Sequence, residues 1–263
     1  MKKKIKKGSN GEKQIMESSL HAKSAVVQAE KHFESWLCNP SGVCEPEEKP
    51  SFTDEPQWRI LRIMSEFIEG FEFLSKLKKE VTFFGSARAK PDTFAYTEAR
   101  KLGKMLGKRG YTVVTGGGPG VMEAGNRGVK EGGGASIGLD IELPTKQRRN
   151  KYIENAIGFH YFFTRKVMLS ASAQAYIFFP GGFGTLDEMF EMLTLIETKK
   201  IPQDIPLILV GKEYWGPLLR WITKEVLNKR KFVSPEEFKI MKLVSSAEEA
   251  FDIIEKTIER KFG

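Results

Sequence analysis

Five short runs rich in β-branched and aromatic residues (81–84, 111–115, 135–139, 175–179 and 206–210) alternate with helix-length segments at about 92–109, 119–131, 164–173, 185–198 and 214–229. Strands that read as near-continuous apolar runs must be covered on both faces, and intervening helices are what a parallel sheet needs to bring each strand back alongside the last. The pattern therefore predicts an α/β chain with a doubly wound parallel sheet and helices on both faces. In such sheets ligands bind beyond the carboxyl ends of the strands, so the loops following each strand are where function is expected.

Before the first strand the chain reads differently. Asp54-Glu55-Pro56 opens a helix, predicted over 54–77, whose apolar positions Trp58, Leu61, Met64, Phe67, Ile68, Phe71 and Leu74 recur at helical spacing and should pack on the sheet domain. Residues 1–51 form a polar extension with room for one helix around 15–37, leaving 52–263 as a single domain. The net charge of +8, from 42 Lys+Arg against 34 Asp+Glu, raises a polyanion as a partner. Its distribution argues otherwise: residues 1–13 hold six lysines and one glutamate, +5, and the remaining 36 basic and 33 acidic residues give only +3. That tail has no apolar core of a secretory signal, and no run approaches the roughly 18 residues of a membrane span. A cytoplasmic chain with neither a nucleic-acid nor a membrane partner is expected. Cys38 and Cys44 stand alone in a Pro/Gly/Glu-rich stretch and suggest inert thiols.

Three strand-end loops are rich in small residues: Gly85-Ser86-Ala87-Arg88, Gly116-Gly117-Gly118-Pro119-Gly120 and Pro180-Gly181-Gly182-Phe183-Gly184-Thr185. Glycine lets backbone N–H groups approach an anion closely, and a helix starting next adds a favourable dipole. Gly116–Gly120 lacks the Gly-Lys-Ser/Thr ending of a P-loop, which disfavours NTP hydrolysis, and the first loop is not Gly-x-Gly-x-x-Gly, which disfavours a dinucleotide. A single phosphate is the economical ligand. No metal-ligand spacing appears, so chemistry without metal or cofactor is expected.

Thr185-Leu186-Asp187-Glu188 admits two readings. As Thr-x-x-Glu it is a capping box, with Thr185 capping the helix and Glu188 returning to the cap. Alternatively Glu188 stands one turn, about 5 Å, past the phosphate site, roughly the span from a 5′-phosphate to the anomeric carbon of its ribose. A carboxylate there could stabilise oxocarbenium character and deprotonate a water. Arg165, at the start of the preceding helix, opposes that helix's dipole, and a guanidinium facing Glu188 or a ligand would account for it.

Gly116-Gly117-Gly118, Gly120-Val121-Met122, Arg165-Lys166 and Pro180-Gly181-Gly182-Phe183-Gly184-Thr185-Leu186-Asp187-Glu188 together resemble the LOG (Lonely Guy) family, also labelled lysine decarboxylases. The resemblance covers about residues 80–230. It implies a Rossmann-like homodimer or larger assembly that hydrolyses the N-glycosidic bond of nucleoside 5′-monophosphates, of the AMP or cytokinin riboside type, to free base and ribose 5-phosphate. Carried over by motif, Arg165 and Glu188 are the catalytic pair, with Gly181, Gly182, Gly184 and Thr185 on the phosphate and Gly85, Ser86, Gly117, Gly118 and Lys166 lining the pocket. No lysine stands in a pattern diagnostic of a pyridoxal phosphate Schiff base, so decarboxylation has no support in the residues.

Short plant-type members place Met-His-x before Arg-Lys, where this chain has Phe162-Phe163-Thr164, which puts Phe162 at the base-contacting position. The longer basic segment 140–150 resembles the larger bacterial branch, for which purine nucleotide turnover is expected. Lys146, Arg148, Arg149 and Lys151 could steer a nucleotide inward or simply be solvated. His160 reads as a hydrogen-bonded core histidine, and Met168 and Leu169 as packing. The rival to the enzyme is a nucleotide sensor or carrier of the same fold, which needs the glycines but not Arg165 and Glu188.

Overall fold

The computed structural model describes residues 56–142, 149–171 and 173–260. The extension 1–51, its helix around 15–37, Cys38, Cys44, Lys146 and Arg148 lie outside the described residues. In chain order the elements are α1 (Pro56–Ser75), β1 (Glu80–Phe84), α2 (Phe94–Gly107), β2 (Thr112–Thr115), α3 (Val121–Glu131), β3 (Ala135–Ile141), β4 (Asn155–Phe159), α4 (Phe162–Ala171) and β5 (Ala175–Phe178). Then follow α5 (Phe183–Glu197), β6 (Leu207–Val210), α6 (Lys212–Trp221, continued by a π-wound turn over Ile222–Lys229), α7 (Pro235–Phe238), β7 (Met241–Val244) and α8 (Ala247–Ile254).

All strand pairs are parallel, in the order β4-β3-β2-β1-β5-β6-β7. The chain winds outward from β1 to β4, crosses back through α4, and resumes outward from β5. This is the Rossmann-like doubly wound sheet, and the winding reverses between β1 and β5, where a crevice opens at the carboxyl ends. Successive residues serve opposite faces, as the pleat requires. Val81, Phe83, Ile177 and Val210 pack with α2, α3 and α8, whereas Phe84, Tyr176, Phe178 and Leu209 pack with α1, α4, α5 and α6. Phe84 and Phe178 stack at 4.7 Å across the reversal, and Phe84 lines the crevice there. The fully buried Trp215 locks α6 to β5 by donating its indole N–H to Phe178 O at 3.2 Å.

Two strands and one helix escape the hydrophobic pattern. β4 (Asn-Ala-Ile-Gly-Phe) is an edge strand with only Phe159 fully buried, and β7 (Met-Lys-Leu-Val) closes the other edge with an alternating face. Edges need not carry apolar residues on both faces, so neither reads as a continuous apolar run. α8 is announced by Ser246, whose hydroxyl accepts the Glu249 N–H. The helix predicted over 54–77 is α1, which approaches α4 at Gly70: a Cβ there would fall 2.6 Å from Met168 Sδ.

One helix boundary corrects the sequence reading and removes one of its two alternatives. α5 begins at Phe183, not 185, with the extended Gly182 as N-cap and no side-chain cap bond. Thr185 is thus the third residue of the helix, its own N–H bonded to Gly182 O at 3.0 Å. The Thr185/Glu188 capping box does not form. Two glycines allow the chain to turn into the helix before the threonine, which leaves Glu188 free of any capping duty.

Candidate active site

A cavity of about 1020 Å³ lies over the β1/β5 reversal. Gly85 and Ser86 from the β1 loop, Phe162, Arg165 and Lys166 from α4, and Gly181, Gly182, Gly184, Thr185 and Glu188 from the β5 loop and α5 all line it. Gly117 and Gly118 are not among the lining residues; their neighbour Gly116 is. Their place is behind the wall, for a reason given below.

The loops are knit together by backbone bonds. Ser86 N–H donates to Pro180 O at 3.1 Å, and Ser86 O accepts Val121 N–H at 3.0 Å, so the three strand-end loops hold a fixed spacing. The Thr185 side chain lies against Gly181, where a Cβ would fall 2.1 Å from Oγ1. Gly182 and Gly184 face open space, with no atom within 4 Å of where a Cβ would stand. The first turn of α5 therefore presents N–H groups without intrahelical acceptors to the cavity, the arrangement that binds an anion. Tyr214 on α6 supports the loop from outside by donating its hydroxyl to Gly181 O.

Arg165 enters from the opposite side. Its Nε donates to Leu139 O at 2.8 Å, and its Nη2 lies where a Cβ on Gly116 would stand, 2.1 Å away. Burial pushes its pKa below the ordinary guanidinium range, against the attraction of Glu188 and Asp140. Glu188 is largely buried, and its Oε2 has no hydrogen-bond partner. Burial raises its pKa to about 7, against the downward pull of Lys166 and Arg165 and with a further push from Glu191 and Asp187. A carboxyl that can gain or lose a proton near neutrality, beside a fixed cation and one turn beyond an anion cradle, is equipped for general acid–base work.

Lys166 points less towards the cavity centre than its position in the motif suggests. Its ammonium sits 2.8 Å from Asp187 Oδ2 and 2.8 Å from Glu191 Oε2, tying α4 to α5. Burial disfavours its charge, but these two carboxylates outweigh that and its pKa is raised. Phe162 is 58% exposed and Phe183 93% exposed, so two largely exposed aromatic rings line the cavity. His160 donates its backbone N–H to Glu66, and its ring faces Glu142 at 3.4 Å.

Several residues that organise the site carry no motif. Gly117 has φ +76°, and a Cβ there would collide with Asp140 Oδ1 at 1.7 Å. Asp140 holds Arg149 through Oδ2, while its Oδ1 is buried without a partner. The Asn150 side-chain amide donates to Gly117 O (3.2 Å), Gly118 O (3.0 Å) and Asn126 Oδ1 (3.0 Å), and Asn126 in turn donates to Ser136 Oγ and Ile137 O. Gly117 and Gly118 thus turn their carbonyls inward to a buried amide network, which fixes Gly116 under Arg165.

Known proteins resemble this chain in sequence and in fold. The family model described as "Possible lysine decarboxylase" matches residues 122–254. The Arabidopsis thaliana protein named "Cytokinin riboside 5'-monophosphate phosphoribohydrolase LOG1" is 30% identical over 193 residues, covering 72% of this chain and 88% of that protein. From Oryza sativa subsp. japonica, the protein named "Probable cytokinin riboside 5'-monophosphate phosphoribohydrolase LOGL3" is 29% identical over 189 residues, 70% of this chain and 86% of the relative. Among solved structures, the molybdenum cofactor binding protein of Rippkaea orientalis shares the fold with a TM-score of 0.50 at 24% identity, covering 67% of this chain and 93% of its own.

Proposed function

Since this chain belongs to the LOG family, we propose that it hydrolyses the N-glycosidic bond of nucleoside 5′-monophosphates, releasing free base and ribose 5-phosphate. The observation that carries this reading is Glu188: buried, unpartnered at Oε2, beside Arg165, and one turn along the helix whose open N-terminus faces the same cavity. The 5′-phosphate lies against the N–H groups of Gly182, Phe183 and Gly184, with the Thr185 hydroxyl at its edge. This fixes the ribose so that C1′ comes to Glu188.

In the reaction the C1′–N bond breaks as its electron pair leaves with the base. Glu188, ionised, stabilises positive charge at C1′ and takes a proton from the water whose oxygen bonds to C1′. The proton taken by Glu188 is passed on to the departing base, which restores the carboxylate and divides the water between the two products. Arg165 stays charged throughout, because a guanidinium this close to Glu188 and Asp140 keeps its proton, and it serves ribose hydroxyls or phosphate. Phe162 and Phe183 offer stacking surface to the base, which suits a purine of the AMP type or its N6-modified forms. Decarboxylation has no residue to support it.

Assembly is part of the proposal. Leu61, Met64 and Ile68 on α1 are more than half exposed, and Phe163 and Val167 on the adjoining α4 are exposed too, a continuous apolar face suited to a second copy. Among the described residues no helix is long and apolar enough to cross a membrane, and action in the cytoplasm is proposed.

Incubating the folded protein with AMP, GMP and isopentenyladenosine monophosphate, and following free base by chromatography, tests the reading. Release of base from at least one is expected. Binding of all three without release would instead favour a nucleotide carrier, and neither binding nor release would reject both.

A further inference from the structure

The helix that carries Arg165 meets at its start a carboxylate that lies 99 positions earlier in the chain than that arginine, on α1. Glu66 is 9% exposed, and its carboxylate closes the N-terminus of α4. Oε1 accepts His160 N–H at 2.9 Å, while Oε2 accepts the Thr164 hydroxyl at 2.6 Å and Tyr161 N–H at 3.4 Å. These are the two backbone donors just ahead of the helix and the side chain of its third residue. Arg165 is the fourth residue of α4, with its N–H bonded to Tyr161 O at 3.3 Å and its Nε to Leu139 O at 2.8 Å.

A cation in the first turn of a helix faces the positive end of the macrodipole, and a free terminus frays. α4 has no acidic residue in its first turn. The carboxylate that accepts the two amides just ahead of the helix and the Thr164 hydroxyl, and so stands at the positive end of its dipole, is supplied by α1, where Arg62 Nε lies 3.8 Å from its Oε1. We infer that Glu66 is a positioning residue for Arg165: it acts without touching substrate, by holding the first turn of α4 so that the guanidinium stays on Gly116 and faces Glu188. The kinetic part of this inference rests on the nucleosidase reading, whereas the structural part does not.

The test uses the full chain with Glu66→Ala, Glu66→Gln and Thr164→Val. The direct readout is solvent exchange of the Arg165 Nε–H proton, observed by nuclear magnetic resonance. In the wild type and Glu66→Gln, which keeps a carbonyl acceptor at the helix start, this proton is expected to exchange slowly. In Glu66→Ala it exchanges at least about tenfold faster as the local opening free energy falls. On AMP, Glu66→Ala is expected to lower kcat by about ten- to a hundredfold, the scale of a small misplacement in an active site. KM should stay within about threefold, because the phosphate donors on α5 are untouched. Glu66→Gln should recover most of the rate.

Folded Glu66→Ala with wild-type exchange at Arg165 and wild-type kcat would overturn the inference. If that variant does not fold, Thr164→Val decides, since it removes only one of the three bonds: faster Arg165 exchange supports the role and unchanged exchange overturns it. A wild-type protein that releases no base defeats the functional reading alone, and the exchange measurement still decides the role of Glu66.

Discussion

The guanidinium of Arg165 occupies the space that a side chain on Gly116 would need, with Nη2 2.1 Å from the position of a Cβ. Gly116 has no positive φ, so it is required here for the room it leaves and not for its backbone freedom. The neighbour that an alanine would meet is the far end of a flexible side chain, which can move at small cost to the fold. Gly116→Ala should therefore displace Arg165 while leaving the melting temperature within a few degrees of wild type. Steady-state kinetics on AMP should show kcat/KM reduced by roughly ten- to a hundredfold, the scale of a misplacement of about 1 Å. Full activity in Gly116→Ala would remove Arg165 from the mechanism in its present position.

The proton state of Glu188 sets the expected pH dependence. With its carboxyl pushed up to about 7 by burial, the group is mostly neutral at pH 6 and mostly ionised at pH 8. A base that must be ionised gives a rate that rises through about pH 7 and levels above it. Glu188→Gln removes the ionisable group, so turnover should fall by at least about a hundredfold, the usual worth of a general base. Binding of ribose 5-phosphate, measured by calorimetry, should be nearly unchanged because the α5 donors remain. A wild-type profile that is flat from pH 5.5 to 8.5, or a Gln variant with full rate, contradicts the role given to Glu188.

The same shift has a consequence for stability, and its sign is opposite to that of a salt-bridged carboxylate. Glu188 titrates at about 7 in the folded chain against an ordinary 4.5. Below 4.5 both states are protonated and nothing is lost. Between 4.5 and 7 the unfolded chain releases the proton and the folded chain keeps it, so stability falls as pH rises and stays lower above 7. The penalty is on the order of 3 kcal/mol at 1.36 kcal/mol per pKa unit. Glu188→Gln is thus expected to be more stable than wild type at pH 8 and about equal to it at pH 4, by chemical denaturation at both values. A variant less stable at pH 8 would show that the ionised carboxylate has native partners that outweigh its burial.

Much of the candidate site is legible in the sequence because it is local. The Pro-Gly-Gly-Phe-Gly-Thr run, its distance to Glu188 and the Arg165-Lys166 pair each lie within one strand-end loop or helix start, so spacing alone carries their geometry. The five central strands are legible for a similar reason, since burial on both faces leaves a continuous apolar run. β4 and β7 are hidden because an edge needs no such run. Asp187 and Glu191 hold Lys166 through a fold-dependent meeting of α4 and α5, and the Thr185 cap is misread because Gly182 starts the helix two residues sooner. Glu66 and Asn150 are invisible for a stronger reason. Each is a single polar residue whose partners lie tens of positions away, and no periodicity links them.

Asn150 illustrates what such a residue does. Its amide satisfies the carbonyls of Gly117 and Gly118 and the Oδ1 of Asn126, all buried, while its own Oδ1 accepts Tyr152 N–H at 3.1 Å. Replacing it with alanine leaves Gly118 O without its donor, whereas Gly117 O keeps the backbone N–H of residue 150 and Asn126 Oδ1 keeps the Thr115 hydroxyl, and such an orphan costs about 1–3 kcal/mol when water cannot reach it. With one acceptor orphaned and two others each losing one of their donors, Asn150→Ala is expected to lose about 1–3 kcal/mol in urea unfolding. Because the network also sets the height of Gly116 beneath Arg165, kcat should fall as well, by about tenfold if Gly116 shifts by a few tenths of an ångström. Asn150→Asp separates the two effects: it keeps the shape but turns a donor into an acceptor facing three other acceptors, so it should destabilise more than alanine. An Asp variant as stable as wild type would show that the Gly118 carbonyl is satisfied by something other than this amide.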